Sequence, residues 1–142
     1  MRSIVILFAL VFLGACGRHP AAPDLTPRVA GDYRGTLSWD VSAHGGFAPQ
    51  RVTIRVTQEG ARLDLGGTMH FPLQPAELPQ VQCRLNVDGT AACSPGTGVD
   101  KVCGRMDLSQ REARFDQGLL VYDSVVLTES CGTWRLGGTL SR

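Results

Sequence analysis

Apolar and polar residues alternate along most of this chain, as they do in β-strands with one buried face and one face in water. The clearest stretch lies between Tyr33 and Val41, where every second residue is apolar or glycine. No stretch after Gly31 keeps the 3.6-residue period of an amphipathic helix. We therefore predict about eight strands, over residues 33–41, 51–57, 61–71, 81–86, 102–108, 113–115, 119–128 and 134–140.

Strands with one apolar and one polar face are typical of antiparallel sheets. About eight such strands can close into a barrel, which leaves no exposed sheet edge. We therefore expect an all-β domain over residues 31–142, an antiparallel up-and-down barrel, with a two-sheet β-sandwich as the alternative. Gly-Thr-Leu occurs at both 35–37 and 138–140. In an up-and-down barrel the two strands that carry this sequence, the first and the last, are neighbours.

Two segments interrupt the alternation. Residues 72–79 carry a proline at each end and predict a loop, and Gly96-Thr97-Gly98 predicts a turn. Three aromatic residues, Tyr33, Trp39 and Trp134, lie on the predicted inward face. Such residues fill a core, but at a barrel mouth they can also bind an apolar ligand. We therefore treat these three residues as candidate ligand-binding residues.

The N-terminal segment differs from the rest, because its apolar residues follow one another without alternation. Arg2 precedes an apolar or small-residue run over 4–15, which is shorter than the roughly 20 residues that cross a membrane but suits a signal peptide at 1–15. The run ends in Leu13-Gly14-Ala15-Cys16, which resembles the lipobox of bacterial lipoprotein precursors. The resemblance implies cleavage before Cys16 and attachment of acyl chains such as palmitate to that residue.

Acyl chains on Cys16 would make a membrane the first partner of this protein. Two chains hold a protein stably on a bilayer, whereas one gives only marginal binding. Gly17 replaces the aspartate that retains some lipoproteins at the inner membrane, which favours the outer membrane and the periplasm. Residues 16–30 contain three prolines and no apolar period, so we expect them to form a flexible tether.

The cysteines after residue 16 are even in number, which predicts two disulfide bonds in an exported domain. Their spacings, nine, nine and twenty-seven intervening residues, are too wide for the close pairs of a zinc site. A turn at 86–89 with Gly89 in the left-handed conformation would set Cys83 opposite Cys93. A tighter turn at Asp88-Gly89 would place Arg84 there instead. From the first register we predict the pairs Cys83–Cys93 and Cys103–Cys131.

Charge and composition exclude several function classes. The chain has 14 basic and 13 acidic residues, a net charge of +1, so it lacks the excess of basic residues that is typical of nucleic-acid-binding domains. Its three histidines, His19, His44 and His70, form no metal-binding motif, and the chain has no Gly-x-Ser-x-Gly or phosphate-binding loop. We expect no catalytic residue, no metal and no cofactor. Four arginines fall on outward faces among acidic residues and predict a mixed, solvated surface: Arg51, Arg55, Arg62 and Arg84.

The opening stretch 31–37 and the repeated Gly-Thr-apolar sequence resemble lipocalin-like small β-barrels of bacterial envelopes. The resemblance covers a few short stretches and implies no functional residue. Our leading hypothesis is a non-enzymatic envelope lipoprotein with a structural or interaction role. The alternatives are a lipocalin-like carrier of a small apolar ligand and a periplasmic inhibitor of a protease or lysozyme. A cavity behind Trp39 and Trp134 would favour the carrier, and a protruding loop over a filled core would favour the inhibitor.

Overall fold

The computed structural model describes residues 24–41 and 45–142, so the signal peptide, Cys16, His19 and His44 lie outside the described residues. The described chain is all-β and contains no helix. Its nine strands are β1 (Gly31–Val41), β2 (Gly45–Glu59), β3 (Arg62–Met69), β4 (Ala76–Leu85), β5 (Ala91–Cys93), β6 (Gly96–Asp100), β7 (Gly104–Asp116), β8 (Leu119–Thr128) and β9 (Thr133–Ser141).

The strands form one antiparallel sheet in the order β5-β4-β3-β2-β1-β9-β8-β7-β6. It consists of two meanders, β1 to β5 and β6 to β9, which pair through the first and last strands. Trp39 on β1 lies opposite Leu136 on β9, and Val41 lies opposite Trp134. The prediction that the first and last strands are neighbours is therefore confirmed.

The sheet curls until its two ends approach each other, which gives a barrel-like shape. Thr90 and Arg114 form an isolated antiparallel bridge between these ends. Beside it the backbone N–H of Phe115 donates a 2.9 Å hydrogen bond to the carbonyl of Gly89. A Cβ atom at Gly96 would collide with the carbonyl oxygen of Gln80. Only glycine therefore lets β6 approach β4 this closely.

The strand boundaries differ from the prediction at two places between β3 and β7. The predicted loop over 72–79 ends at residue 75, because β4 already begins at Ala76 and runs through Pro79. Opposite Pro79 the β3–β4 register shifts between Leu65 and Gly67, and a bulge of this kind accommodates a residue without an N–H. The turn predicted at 96–98 is wrong, since these residues belong to β6, which pairs with β7.

The predicted strands at 102–108 and 113–115 form one strand, β7, with a register irregularity between Gln110 and Glu112. The irregularity shifts the alternation and makes one strand resemble two. Merging these two strands and adding the short β5 and β6 gives nine strands instead of the predicted eight. The all-β, antiparallel, barrel-like architecture is confirmed.

The inward-facing residues form a continuous core. On β1, Tyr33, Leu37 and Val41 are buried, and Arg34, Thr36, Ser38 and Asp40 between them are exposed, which confirms the predicted period of two. Trp134 is buried, and Trp39 is half-buried against the same core. The apolar faces of all the longer strands therefore meet inside the barrel.

Both predicted disulfide bonds are present, Cys83–Cys93 and Cys103–Cys131. The β4–β5 turn has the predicted register, with Cys83 opposite Cys93. Gly89 has a φ of 85°, the left-handed conformation that the turn requires. Asp88 accepts hydrogen bonds from the backbone N–H and the hydroxyl of Thr90, which lower the pKa of its carboxyl group.

The end of the barrel where β1 begins is covered by residues 27–30, and we call it the closed end. Val29 is buried there, and its N–H donates to Oε1 of Gln58 at 2.8 Å. Nε2 of Gln58 donates to the carbonyl of Pro27 at 2.7 Å. The hydroxyl of Tyr33 donates to the carbonyl of Val29 at 2.8 Å. The folded part therefore begins before residue 31, within the segment that the sequence assigned to the tether.

Candidate functional site: the pocket at the open end

The opposite end of the barrel, where β1 ends, is the open end, and it holds an apolar pocket. Trp39 on β1 and Trp134 on β9 come together because β1 and β9 pair in a register that makes them diagonal neighbours. Their ring centroids are 5.7 Å apart, and the ring planes stand at 84°. Phe71, just beyond the end of β3, contributes a third ring, 5.0 Å from that of Trp39.

A disulfide-bonded wall faces these rings. The Cys103–Cys131 bond joins the turn between β6 and β7 to the loop between β8 and β9. Backbone N–H groups of Val102 and Cys103 each donate a 2.8 Å hydrogen bond to Oδ1 of Asp100, which fixes the turn. The indole N–H of Trp134 donates to the carbonyl of Cys131 at 3.2 Å and ties the aromatic side to this wall.

The pocket enclosed by these elements has a volume of about 440 Å³. That volume lies within the range of small-molecule sites, roughly 300–1,000 Å³. The rim carries two exposed apolar side chains, Leu73 at 98% and Val102 at 67% of their full accessible surface. The lining residues are Trp39, Val41, Phe71, Leu73, Gln74, Ala76, Asp100, Val102, Cys103, Ser130, Cys131 and Trp134.

Two of the three candidate residues from the sequence, Trp39 and Trp134, line this pocket. Tyr33 does not, because it lies toward the closed end. Its side chain is 1% exposed, and its ring packs at 5.6 Å against that of Phe115. Burial raises the pKa of the Tyr33 hydroxyl. Its place is in the core, so a role for Tyr33 in this pocket is not supported.

Several lining residues carried no functional signal in the sequence. The pattern predicts Phe71 as the last inward residue of a strand, and Cys103 and Cys131 as partners in a structural disulfide bond. Leu73 lies between Pro72 and Pro75, and a bulky apolar residue inside a proline-bounded loop was the one local hint. The disulfide prediction could also have placed the loops of Cys103 and Cys131 side by side at one end of the barrel.

The interior between the two ends holds a polar pair on β8. Tyr122 is buried, and Ser124 is the buried polar side chain of the core. Burial raises the pKa of Tyr122 to about 12, and the nearby hydroxyl of Ser124 opposes that shift. Neither side chain lines the pocket. The pair therefore belongs to the core and not to the candidate site.

The outer face of the sheet carries the predicted mixture of charges. Asp32 accepts from Arg55 at 3.0 Å and from Arg34 at 3.2 Å, and the bond from Arg55 lowers the pKa of Asp32. Arg62 lies 4.0 Å from Asp64. A hollow of about 520 Å³ beside Arg62 and Arg84 is larger than the pocket but lies on this polar surface. Exposed pairs of this kind are screened by water and contribute little.

Within residues 24–41 and 45–142, no three His, Cys, Asp or Glu side chains lie close enough to hold a metal ion together. In the same part of the chain no helix is long and apolar enough to cross a membrane. Comparison of the chain with protein-family models, curated proteins and solved structures finds no match.

Proposed function

We propose that this protein is a lipid-anchored binding protein of the bacterial cell envelope, and that its pocket at the open end holds the apolar part of a small ligand. The observation that carries the proposal is the pocket of about 440 Å³ between Trp39, Trp134, Phe71 and the Cys103–Cys131 bond. The sequence singled out both tryptophans as candidates for such a site. Its role is binding, without catalysis.

The energetics of the rim support a ligand. Apolar surface in water costs about 25 cal/mol per Å². Leu73 and Val102 nevertheless extend into water beside an aromatic pocket that is itself open. Exposed apolar side chains at the rim of an apolar pocket enlarge the surface that a bound ligand can cover. A ligand that fills the pocket and contacts both side chains would remove that cost.

The chain provides its own reporter for binding. It contains two tryptophans, and both line the pocket. The lipidated protein in neutral-detergent micelles, titrated with benzyl alcohol, should show a saturable change in tryptophan fluorescence. Val102→Phe narrows the rim and should weaken binding several-fold. Val99→Phe alters a valine that is 83% exposed but outside the pocket, and should leave binding unchanged. A linear response, or equal effects of the two variants, would contradict the proposed site.

The anchor is supported by the lipobox resemblance at 13–16. Two disulfide bonds agree with an oxidising compartment such as the periplasm. Cys16→Ser should leave an unprocessed or soluble protein, because no thiol remains to be acylated. Detergent-phase partitioning measures this directly, and Cys16→Ser protein that still enters the detergent phase after signal removal would place the anchor elsewhere.

The loop over 70–75 favours a second candidate, the interaction or inhibitor role. Leu73 is almost fully exposed and lies between two prolines that limit the loop's conformations. A preorganised apolar side chain can enter a pocket of a protease or of another envelope protein. Inhibition assays with lysozyme and serine proteases test this role, and Leu73→Asp should abolish any inhibition found.

A further inference from the structure

Three aromatic rings meet at the pocket, and each is inclined to its neighbour. The ring planes of Trp39 and Phe71 are tilted by 58°, and those of Trp39 and Trp134 stand at 84°. Rings in this arrangement form a corner instead of a stack. The face of an aromatic ring carries partial negative charge and its edge partial positive charge, so such a corner attracts a cation that sits against the ring faces.

The acidic residue in the pocket lining also favours a positively charged ligand. Among the described residues that line the pocket, Asp100 is the acidic one, and none is lysine or arginine. Oδ1 of Asp100 accepts the N–H groups of Val102 and Cys103, which holds the carboxylate beside the disulfide wall. The lining therefore combines aromatic rings with one acidic side chain whose position is held by the wall.

Donor groups of the wall are directed into the wall itself. The indole N–H of Trp134 donates to the carbonyl of Cys131. The hydroxyl of Ser130 donates to the carbonyl of Val102 at 3.3 Å. An anion needs such donors, and these two are already used. A quaternary ammonium group needs neither donors nor acceptors, because its charged nitrogen carries four alkyl groups and no N–H.

We propose that the pocket at the open end binds a quaternary ammonium or similar alkylated cation, seated in the corner of Trp39, Trp134 and Phe71 and balanced by Asp100. The proposal rests on the proposed function, since it concerns the same pocket, and adds the sign of the ligand's charge. The ligand class is an organic cation with an apolar outer surface.

The test compares two ligands of the same shape. Choline and 3,3-dimethyl-1-butanol differ in the replacement of the charged nitrogen by carbon. We expect choline to bind the lipidated protein in neutral-detergent micelles about fivefold more tightly or better, measured by tryptophan fluorescence. The anion 3,3-dimethylbutanoate should bind more weakly than either.

Two variants assign the preference to the pocket. Asp100→Asn keeps an oxygen that can accept both backbone N–H groups, so the turn is retained while the charge is lost. It should weaken choline binding several-fold and leave dimethylbutanol binding unchanged. Asp116→Asn removes the same charge from an exposed position on the end of β7 outside the pocket, and should change neither. Phe71→Leu should reduce the advantage of choline while keeping an apolar wall.

Each outcome decides between the two proposals. Equal binding of choline and dimethylbutanol, or tighter binding of the neutral compound, would overturn the cation site and leave the apolar pocket standing. A choline preference that Asp100→Asn does not reduce would place the cation elsewhere and overturn this assignment. If neither these three ligands nor benzyl alcohol binds, both the cation site and the proposed function are contradicted.

Discussion

At the closed end of the barrel, the chain itself covers the core. Val29 is buried there, and Gln58 and Tyr33 bond to the backbone around it. At the open end, the described chain leaves Trp39 and Phe71 only partly buried, and a pocket of about 440 Å³ remains beside them. A disulfide bond fixes one wall of that pocket in place of a covering segment. The comparison places the candidate binding site at the open end, where apolar side chains remain exposed.

The largest expected effect tests whether the open end also stabilises the fold. Trp39→Ala removes a ring that contacts Phe71 and Trp134, and large-to-small changes of this kind cost about 3–5 kcal/mol. The neighbouring Ser38→Ala, on the exposed face, should cost less than about 1 kcal/mol. Urea unfolding measures both. Equal unfolding free energies would mean that the aromatic corner serves binding alone.

The second prediction separates the two disulfide bonds. Removal of Cys103–Cys131 by a double alanine variant should cost about 3.5 kcal/mol, and removal of Cys83–Cys93 about 3 kcal/mol. Only the first bond lies in the pocket wall. We therefore expect ligand binding to be lost in the first variant and retained in the second. Retained binding in both would show that the wall does not need its covalent link.

The third prediction concerns the interior between the two ends. A tyrosine in the unfolded chain has a pKa near 10, whereas that of buried Tyr122 is about 12. Between these values the unfolded chain loses a proton that the folded chain keeps, so the unfolding free energy falls as pH rises. Below pH about 10 there is no such effect. The loss should be roughly 2 kcal/mol by pH about 12.

Tyr122→Phe provides the control for this titration. The variant should lose less stability than the parent protein between pH about 9.5 and 11.5, when each is unfolded in urea. Tyr33 remains in both proteins, so its own raised pKa cancels in the comparison. Equal losses in the two proteins would assign the alkaline effect to groups other than Tyr122.

The smallest effect belongs to the closed end. Gln58→Ala removes the bonds to Val29 and Pro27, and should lower the unfolding free energy by about 1–2 kcal/mol. Ligand binding at the other end should not change. Gln82→Ala, on an exposed position of β4, is the matched control and should be nearly neutral. If Gln58→Ala weakens binding as well, the two ends are coupled and the comparison fails.

The alternation of residues predicted the long strands because it reports which face each side chain takes, whatever its neighbours are. It could not predict β5 or β6. Residues 91–93 are too few to show a period, and the glycines of 96–98 indicate a turn unless the partner strand is known. The proline at 79 was misleading for the same reason. Its bulge involves the strand beside it, where the register shifts between Leu65 and Gly67.

The candidate site was predictable only in part. Trp39 and Trp134 could be paired because the first and last strands must meet in an up-and-down barrel. Phe71 reaches Trp39 from just beyond the end of β3, a strand that is not adjacent to β1, and no local sequence pattern indicates such a contact. The role of Asp100 depends on a turn whose shape follows from the register of β6 and β7.

The pairing of β1 with β9 also constrains the order of folding. Arg34 on β1 lies opposite Ser141, the penultimate residue of the chain. Contacts between residues this far apart in sequence form slowly, because the chain loses the entropy of a long loop before the contacts can stabilise the fold. As the chain emerges from the ribosome, β1 to β4 can pair while one edge of β1 is still without its partner, β9. An exposed edge of this kind recruits other chains. We therefore expect the pairing of β1 with β9 late in folding, and a variant without β9 would leave one edge of β1 and one edge of β8 unpaired.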